Sequence, residues 1–132
     1  TRYLRAVNGF ELSTNHFLAT EAYLAARAAW PENQTALFAL GNNYLYLAEY
    51  HEAEKVFREL LTSNPSHVAA SNNLAEALAR QGYYDQASIV IDQAILVADK
   101  IKSPLKESVL QTRKEINHYL QKADLVSEND CN

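Results

Sequence analysis

The chain has no methionine, one cysteine, three glycines and three prolines in 132 residues. A single thiol, Cys131, cannot close an internal disulfide or furnish a zinc-ribbon site, so a stapled mini-domain is excluded. So little glycine and proline leaves too few turn residues for a β-sandwich and points to helices. No apolar run approaches the roughly 20 residues that span a bilayer, and no membrane contact by this segment is expected. Twelve Lys and Arg against 16 Asp and Glu give a net charge of −4. Without a basic stripe, nucleic acid is not an expected partner. Apolar residues at 48% and charged residues at 21% exclude wholesale disorder. At this length folding hides roughly two-thirds of the unfolded surface, enough for a sizeable core. Starting at Thr1 without Met, the sequence reads as a processed product or a piece of a longer protein. No targeting or lipidation motif is visible, which leaves the compartment open.

What is present is a repeat. Ala19, Ala53 and Ala87 are spaced by 34 residues, as are Pro31 and Pro65. The same interval joins Ala6, Leu40 and Leu74; Val7, Gly41 and Ala75; Phe10, Tyr44 and Leu78; and Tyr23, Phe57 and Ile91. Ala26, Leu60 and Ala94 form another column, and His16, Tyr50 and Tyr84 a further one. Small residues such as Gly41, Ala53 and Ala87 suit positions where helices approach closely, and Tyr44 and Phe57 suit the spaces between them. Pro31 and Pro65 fall where one helix stops and the next begins. Gly82 falls in the turn of the third helix pair. The pattern predicts helices over 3–13, 16–29, 33–48, 51–63, 65–81, 84–100 and 104–125, the last opened by Ser103 as N-cap and Pro104. Leu105, Val109, Ile116, Leu120 and Ala123 lie mainly on one face of that last helix, as expected of a cap over the open end of a stack. Residues 126–132 read as a polar, loose tail.

The unit Leu37-x-x-Leu40-Gly41-x-x-Tyr44, then Ala53-x-x-x-Phe57, then Pro65, resembles the tetratricopeptide repeat, with Leu37 in place of the usual Trp. The resemblance implies an all-α fold: a right-handed solenoid of three helix–turn–helix repeats, 1–33, 34–67 and 68–101, plus a capping helix, 102–125. The repeat positions in this chain are Ala19, Leu40, Gly41, Tyr44, Ala53, Phe57, Pro65, Leu74 and Ala87. Such arrays bind extended peptides or partner segments along the concave face lined by the first helix of each pair. That implies a protein-interaction scaffold with a protein or peptide ligand. The lining positions include Arg5 and Asn8 from repeat 1; Phe38, Asn42, Leu45 and Tyr46 from repeat 2; and Asn72, Asn73, Glu76 and Arg80 from repeat 3. A carboxamide both donates and accepts, so Asn8, Asn42 and Asn73 suit a peptide backbone of any sequence. Phe38, Leu45 and Tyr46 offer an apolar shelf, and Arg5 and Arg80 can pair a carboxylate. The two-carboxylate clamp of cochaperones wants Lys and Arg where this chain has Ala69 and Asn73, which argues against an acidic chaperone tail.

No residue set points to an enzyme. His16 shares a column with Tyr50 and Tyr84 and reads as packing at a helix turn. His51, His67 and His118 have no helical metal-site spacing, so no metal or cofactor is expected. Cys131 has no neighbouring base and reads as inert. Glu49, Glu52 and Glu54 read as a solvated face with Lys55 and Arg58 as local partners.

A narrower resemblance joins Tyr3-Leu4-Arg5-Ala6-Val7-Asn8-Gly9-Phe10-Glu11, Trp30-Pro31, Leu40-Gly41-Asn42 and Asn72-Asn73-Leu74-Ala75. These phrases are similar to the C-terminal repeat segment of bacterial C39-like cysteine peptidases. It implies a non-catalytic, substrate-positioning segment in the bacterial envelope or periplasm, with the catalytic residues upstream; otherwise a cytoplasmic scaffold is expected. A third reading is homo-oligomerisation through an unprotected first helix, 3–12.

Overall fold

A computed structural model describes the backbone of residues 2–130 and the side chains of residues 15–128. It holds six helices: α1 (Arg2–Ala29), α2 (Gln34–Tyr46), α3 (Tyr50–Ser63), α4 (Val68–Arg80), α5 (Tyr84–Lys100) and α6 (Lys106–Asp130). There is no strand among the described residues. Each helix packs on the next. In addition α2 touches α4 and α4 touches α6, whereas α3 and α5 make no close backbone contact. The even-numbered helices therefore form the tighter row of a two-row stack, and the stack curves toward them.

The core is built at the repeat columns. Leu40, Ala53, Phe57, Leu60, Leu74, Ala75, Leu78, Ala87 and Ile91 are all buried. Gly41 fixes how closely α2 and α3 approach. A methyl group built on it would meet Phe57 Cε1 at 2.5 Å and Cζ at 2.6 Å. The equivalent pair one repeat later is Ala75 and Ile91, likewise buried. The α2-type helix gains a methyl where the α3-type side chain loses bulk.

Three helices end in the same hydrogen-bonded hook. At the end of α2, Glu49 N–H donates to Tyr44 C=O at 2.8 Å and Ala48 N–H to Leu45 C=O at 3.0 Å. Tyr83 to Leu78 and Gly82 to Ala79 repeat this after α4, and Ser103 to Ala98 and Lys102 to Asp99 after α5. These are Schellman motifs, which need a left-handed residue in their fifth place. Ala48, Gly82 and Lys102 supply it, with φ of 59°, 86° and 52°. The repeat register puts Thr14 at the corresponding place of repeat 1. A β-branched residue is strongly disfavoured there, and α1 runs through it unbroken. The two helices expected over 3–13 and 16–29 are thus one.

The connections to the next helix are proline turns. Asn33 N–H donates to Trp30 C=O and His67 N–H to Asn64 C=O, with Pro31 and Pro65 second in each turn. Asn33 and His67 then cap α2 and α4, accepting from Ala36 N–H and Ala70 N–H at 3.1 Å each. Pro65, expected inside a helix, lies in the turn before one. Ser103 Oγ accepts from Leu105 N–H at 3.1 Å in the turn before α6, which opens at Lys106, two residues after the start expected at Pro104. That helix continues past 125 to Asp130. Val109 and Ile116 bury its inner face; Leu105 and Ala123 are exposed. Lys106 and Asp99 pair at 2.7 Å across α5 and α6, holding the Asp99 carboxyl below and the Lys106 amine above their ordinary ranges. Both are exposed, so the pair adds little stability.

A polar clasp joins α3 to the end of α4. Gln81 Nε2 donates to Glu54 Oε1 and to Ala77 C=O, each at 3.0 Å. Arg58 Nε donates to Glu54 Oε2 at 2.9 Å. Burial pushes the Glu54 carboxyl up, but the bonds from Arg58 and Gln81 more than reverse this and hold it below the usual range. A depressed carboxyl stabilises the fold above its unfolded pKa and loses that contribution as pH falls through the folded one. Glu54→Gln should therefore cost about 1 kcal/mol at neutral pH and close to nothing near about pH 3, read by urea unfolding at both. An equal cost at both pH values would show that the carboxylate charge is not what the clasp uses.

The Gly41–Phe57 contact makes a second expectation. Gly41→Ala overpacks Phe57, costing about 1–3 kcal/mol less the roughly 1 kcal/mol that Ala gains in a helix interior. Phe57→Ile alone leaves a void. Together they reproduce the Ala75–Ile91 pairing, so the double variant should be more stable than the summed single losses by about 1 kcal/mol or more. Simple additivity in chemical unfolding would show that the two positions do not set one another.

Candidate functional site: the inner row of helices

The inner row α2, α4 and α6 carries most of the expected site residues that are described. Asn42 and Asn73 meet across the α2–α4 gap, Asn73 Nδ2 donating to Asn42 Oδ1 at 2.7 Å. Each amide thereby orients the other. No hydrogen bond occupies Asn42 Nδ2 or Asn73 Oδ1 among the described residues, so a donor and an acceptor remain side by side. Phe38 is half-buried, with its ring 5.0 Å from that of His67 and 6.2 Å from that of Phe57. Leu45 is half-buried beside the core. Glu76 and Arg80 lie one turn apart on α4, 3.8 Å from carboxylate to guanidinium, and both are largely exposed. They also wall a cavity of about 250 Å³ between α4, the start of α5 and α6. Asn72 Oδ1 is buried and has no hydrogen-bond partner among the described residues. The side chains of Arg5 and Asn8 lie outside the described residues, as does Cys131.

Tyr46 is 55% exposed, yet its position is fixed from α1. The His16 ring stacks on it with centroids 3.8 Å apart and planes at 20°. His16 Nδ1 donates to Asn43 Oδ1 at 2.6 Å, and Asn43 Nδ2 donates to Ala39 C=O at 2.9 Å. Asn43 is buried, so its oxygen depends on the imidazole. His16 does pack, but across to α2 from the middle of a continuous helix, not at a helix turn. Its partners Asn43 and Tyr46 belong to no common column, so no 34-residue spacing could reveal them. Arg27 of α1 reaches past α2 to pair with Glu59 of α3. No group of three or more His, Cys, Asp or Glu suited to a metal occurs among the described residues.

Residues 38–102 match the family model described as Tetratricopeptide repeat. Over that stretch the chain carries tetratricopeptide repeats. Its fold is similar to that of the Yersinia enterocolitica type III secretion translocator chaperone SycD, with a TM-score of 0.75 over 92% of this chain and 83% of that one at 16% identity. The TPR2B domain of yeast Sti1, solved as a complex with pHsp70, matches with a TM-score of 0.74 over 84% and 90% of the two chains at 17% identity. The second such domain of human RPAP3, solved with an HSP70 peptide, gives 0.71 over 83% and 88% at 22% identity. At these identities the likeness is one of fold. No curated protein matches the chain. A tetratricopeptide-repeat stack is a protein-interaction scaffold, and the inner row is where this one presents its paired amides.

Removing the imidazole should leave Asn43 Oδ1 buried and unpaired and Tyr46 unstacked. His16→Ala is expected to cost about 1–3 kcal/mol in chemical unfolding followed by circular dichroism. A loss under about 0.5 kcal/mol, the size of an ordinary surface substitution, would show that α1 does not hold Tyr46 and Asn43 in place.

Proposed function

We propose that this protein binds an extended segment of a partner protein along the inner row, with the Asn42–Asn73 pair gripping its backbone. The single observation that carries this is the 2.7 Å bond that turns the two amides toward one another. It leaves the Asn42 amide free to donate to a peptide carbonyl and the Asn73 oxygen free to accept from a peptide N–H. Because the bond pre-sets both rotamers, less side-chain freedom is lost on binding. Phe38 and Leu45, half-buried beside the pair, provide apolar surface for side chains that alternate along an extended ligand. The complexes of Sti1 and RPAP3 with Hsp70 ligands support groove binding for this fold. They do not supply the ligand, since Ala69 and Asn73 stand where an acidic-tail clamp wants cations.

An array of randomised ten-residue peptides, probed with wild type and with the Asn42→Ala, Asn73→Ala double variant, tests this. Each replacement removes a partly buried hydrogen bond, costing about 1 kcal/mol of stability, so both proteins should remain folded by circular dichroism. Wild type should retain a defined subset of peptides, and the variant should bind them at least roughly tenfold more weakly. Equal binding by both would remove the amide pair from any binding role.

A further inference from the structure

The cavity of about 250 Å³ between α4 and α6 is smaller than the roughly 300–1,000 Å³ of small-molecule sites. It suits one side chain. Its apolar lining is Ala79 and the buried Ile116. Tyr84 and Tyr119 form another wall, stacked with ring centroids 5.3 Å apart and planes at 11°. Three charges border it: Glu76, Glu115 and Arg80. The guanidinium lies 3.8 Å from Glu76, and Glu115 accepts only a long 3.4 Å bond from Gln111. The border therefore carries one negative charge in excess. Glu115 has no cationic partner among the described residues, and it lines the cavity with two electron-rich rings.

We propose that this cavity is a recognition pocket for a basic side chain, lysine or arginine, of the segment held on the inner row. Ala79 and Ile116 match the aliphatic stem, which both residues bury readily while keeping the charged head at a polar rim. Glu115 meets the cation directly, and the tyrosine pair adds cation–π attraction. An acidic side chain would face two carboxylates against one guanidinium already engaged. A purely aliphatic one would fill the floor and leave Glu115 unpaired. The pocket is contiguous with the amide pair through α4, which carries Asn73, Glu76 and Arg80 on successive turns. The proposal rests on the inner-row reading for the source of the cation but not for the chemistry of the pocket.

The test titrates the whole isotope-labelled chain with four blocked amino acids: N-acetyl amides of lysine, arginine, norleucine and glutamate. Amide resonances of Thr112, Ile116 and Tyr119 should shift with the two cations and not with norleucine or glutamate. The exposed carboxylates tolerate replacement, so Glu76→Gln with Glu115→Gln should fold and weaken the response about tenfold or more. Glu107→Gln, which removes a charge elsewhere on α6, should leave it unchanged. Tyr119→Leu keeps apolar bulk and should still weaken the cations. Absence of shifts, equal shifts with norleucine or glutamate, or equal weakening by Glu107→Gln would each overturn the pocket, whatever the peptide array gives. Cation-selective shifts together with undiminished array binding by the asparagine variant would uphold the pocket and overturn the amide grip.

Discussion

The stack depends on how closely two helices of a pair can approach, and in the central repeat that distance is set by a glycine under an aromatic ring. Phe57 is fully buried, and Gly41 is the only residue type that leaves room for its ring edge. Everything further along inherits this spacing. With α3 held against α2, Ala53 and Leu60 face inward to a sealed core, and α4 seats against both earlier helices. Ala75 with Ile91 solves the same packing problem with the volume divided differently. A core filled to crystal-like density tolerates such exchange only when both partners change. The Gly41–Phe57 and Ala75–Ile91 pairs show such an exchange, the larger inner residue facing the smaller outer one.

Helix pairing fixes distance, while the hooks at the helix ends fix direction. A Schellman ending reverses the chain over a few residues, provided one of them is left-handed. Gly82 takes that conformation freely. Ala48 and Lys102 take it at a conformational cost of roughly 1–2 kcal/mol that the surrounding packing offsets. Thr14 in the same register shows the limit: with a β-branched residue at the reversal the chain stays helical, and α1 becomes a single 28-residue helix. The half that is built like a second repeat helix, from Asn15 onward, still packs on α2 and sends Arg27 and His16 into the stack. The described half of repeat 1 thus packs on α2 without the turn.

This also marks what the sequence could and could not reveal. Period and composition carry the information that every repeat shares: helix content, core columns and the helix boundaries near Pro31 and Pro65. They are blind to anything that depends on one residue's backbone preference, such as that of the β-branched Thr14 at the place where the other repeats reverse. Ala48 and Lys102 carried no turn signal of the kind that marked Gly82. For the site, the resemblance to the tetratricopeptide repeat named Asn42 and Asn73 as lining positions, and the structure has them on α2 and α4. Their mutual hydrogen bond depends on the gap between α2 and α4, set by small rotations between repeats. The α4–α6 cavity was illegible for the same reason. Thr112, Glu115 and Tyr119 sit on a helix outside the repeat columns, and no spacing rule relates them to Glu76 or Tyr84.

Curvature connects these features to binding. Because α2, α4 and α6 touch while α3 and α5 diverge, polar side chains on the inner row converge on a common strip. The bond between Asn73 and Asn42 leaves the Asn42 NH2 group and the Asn73 oxygen without a hydrogen bond among the described residues. They match a peptide unit, which carries one donor and one acceptor. Backbone recognition of this kind is indifferent to sequence, so selectivity must come from side-chain pockets beside it. The charge of those pockets then decides the partner. At the border of the α4–α6 cavity carboxylates are in excess, two against one guanidinium. A border of that charge disfavours an acidic side chain more sharply than a missing contact would, because juxtaposed like charges repel.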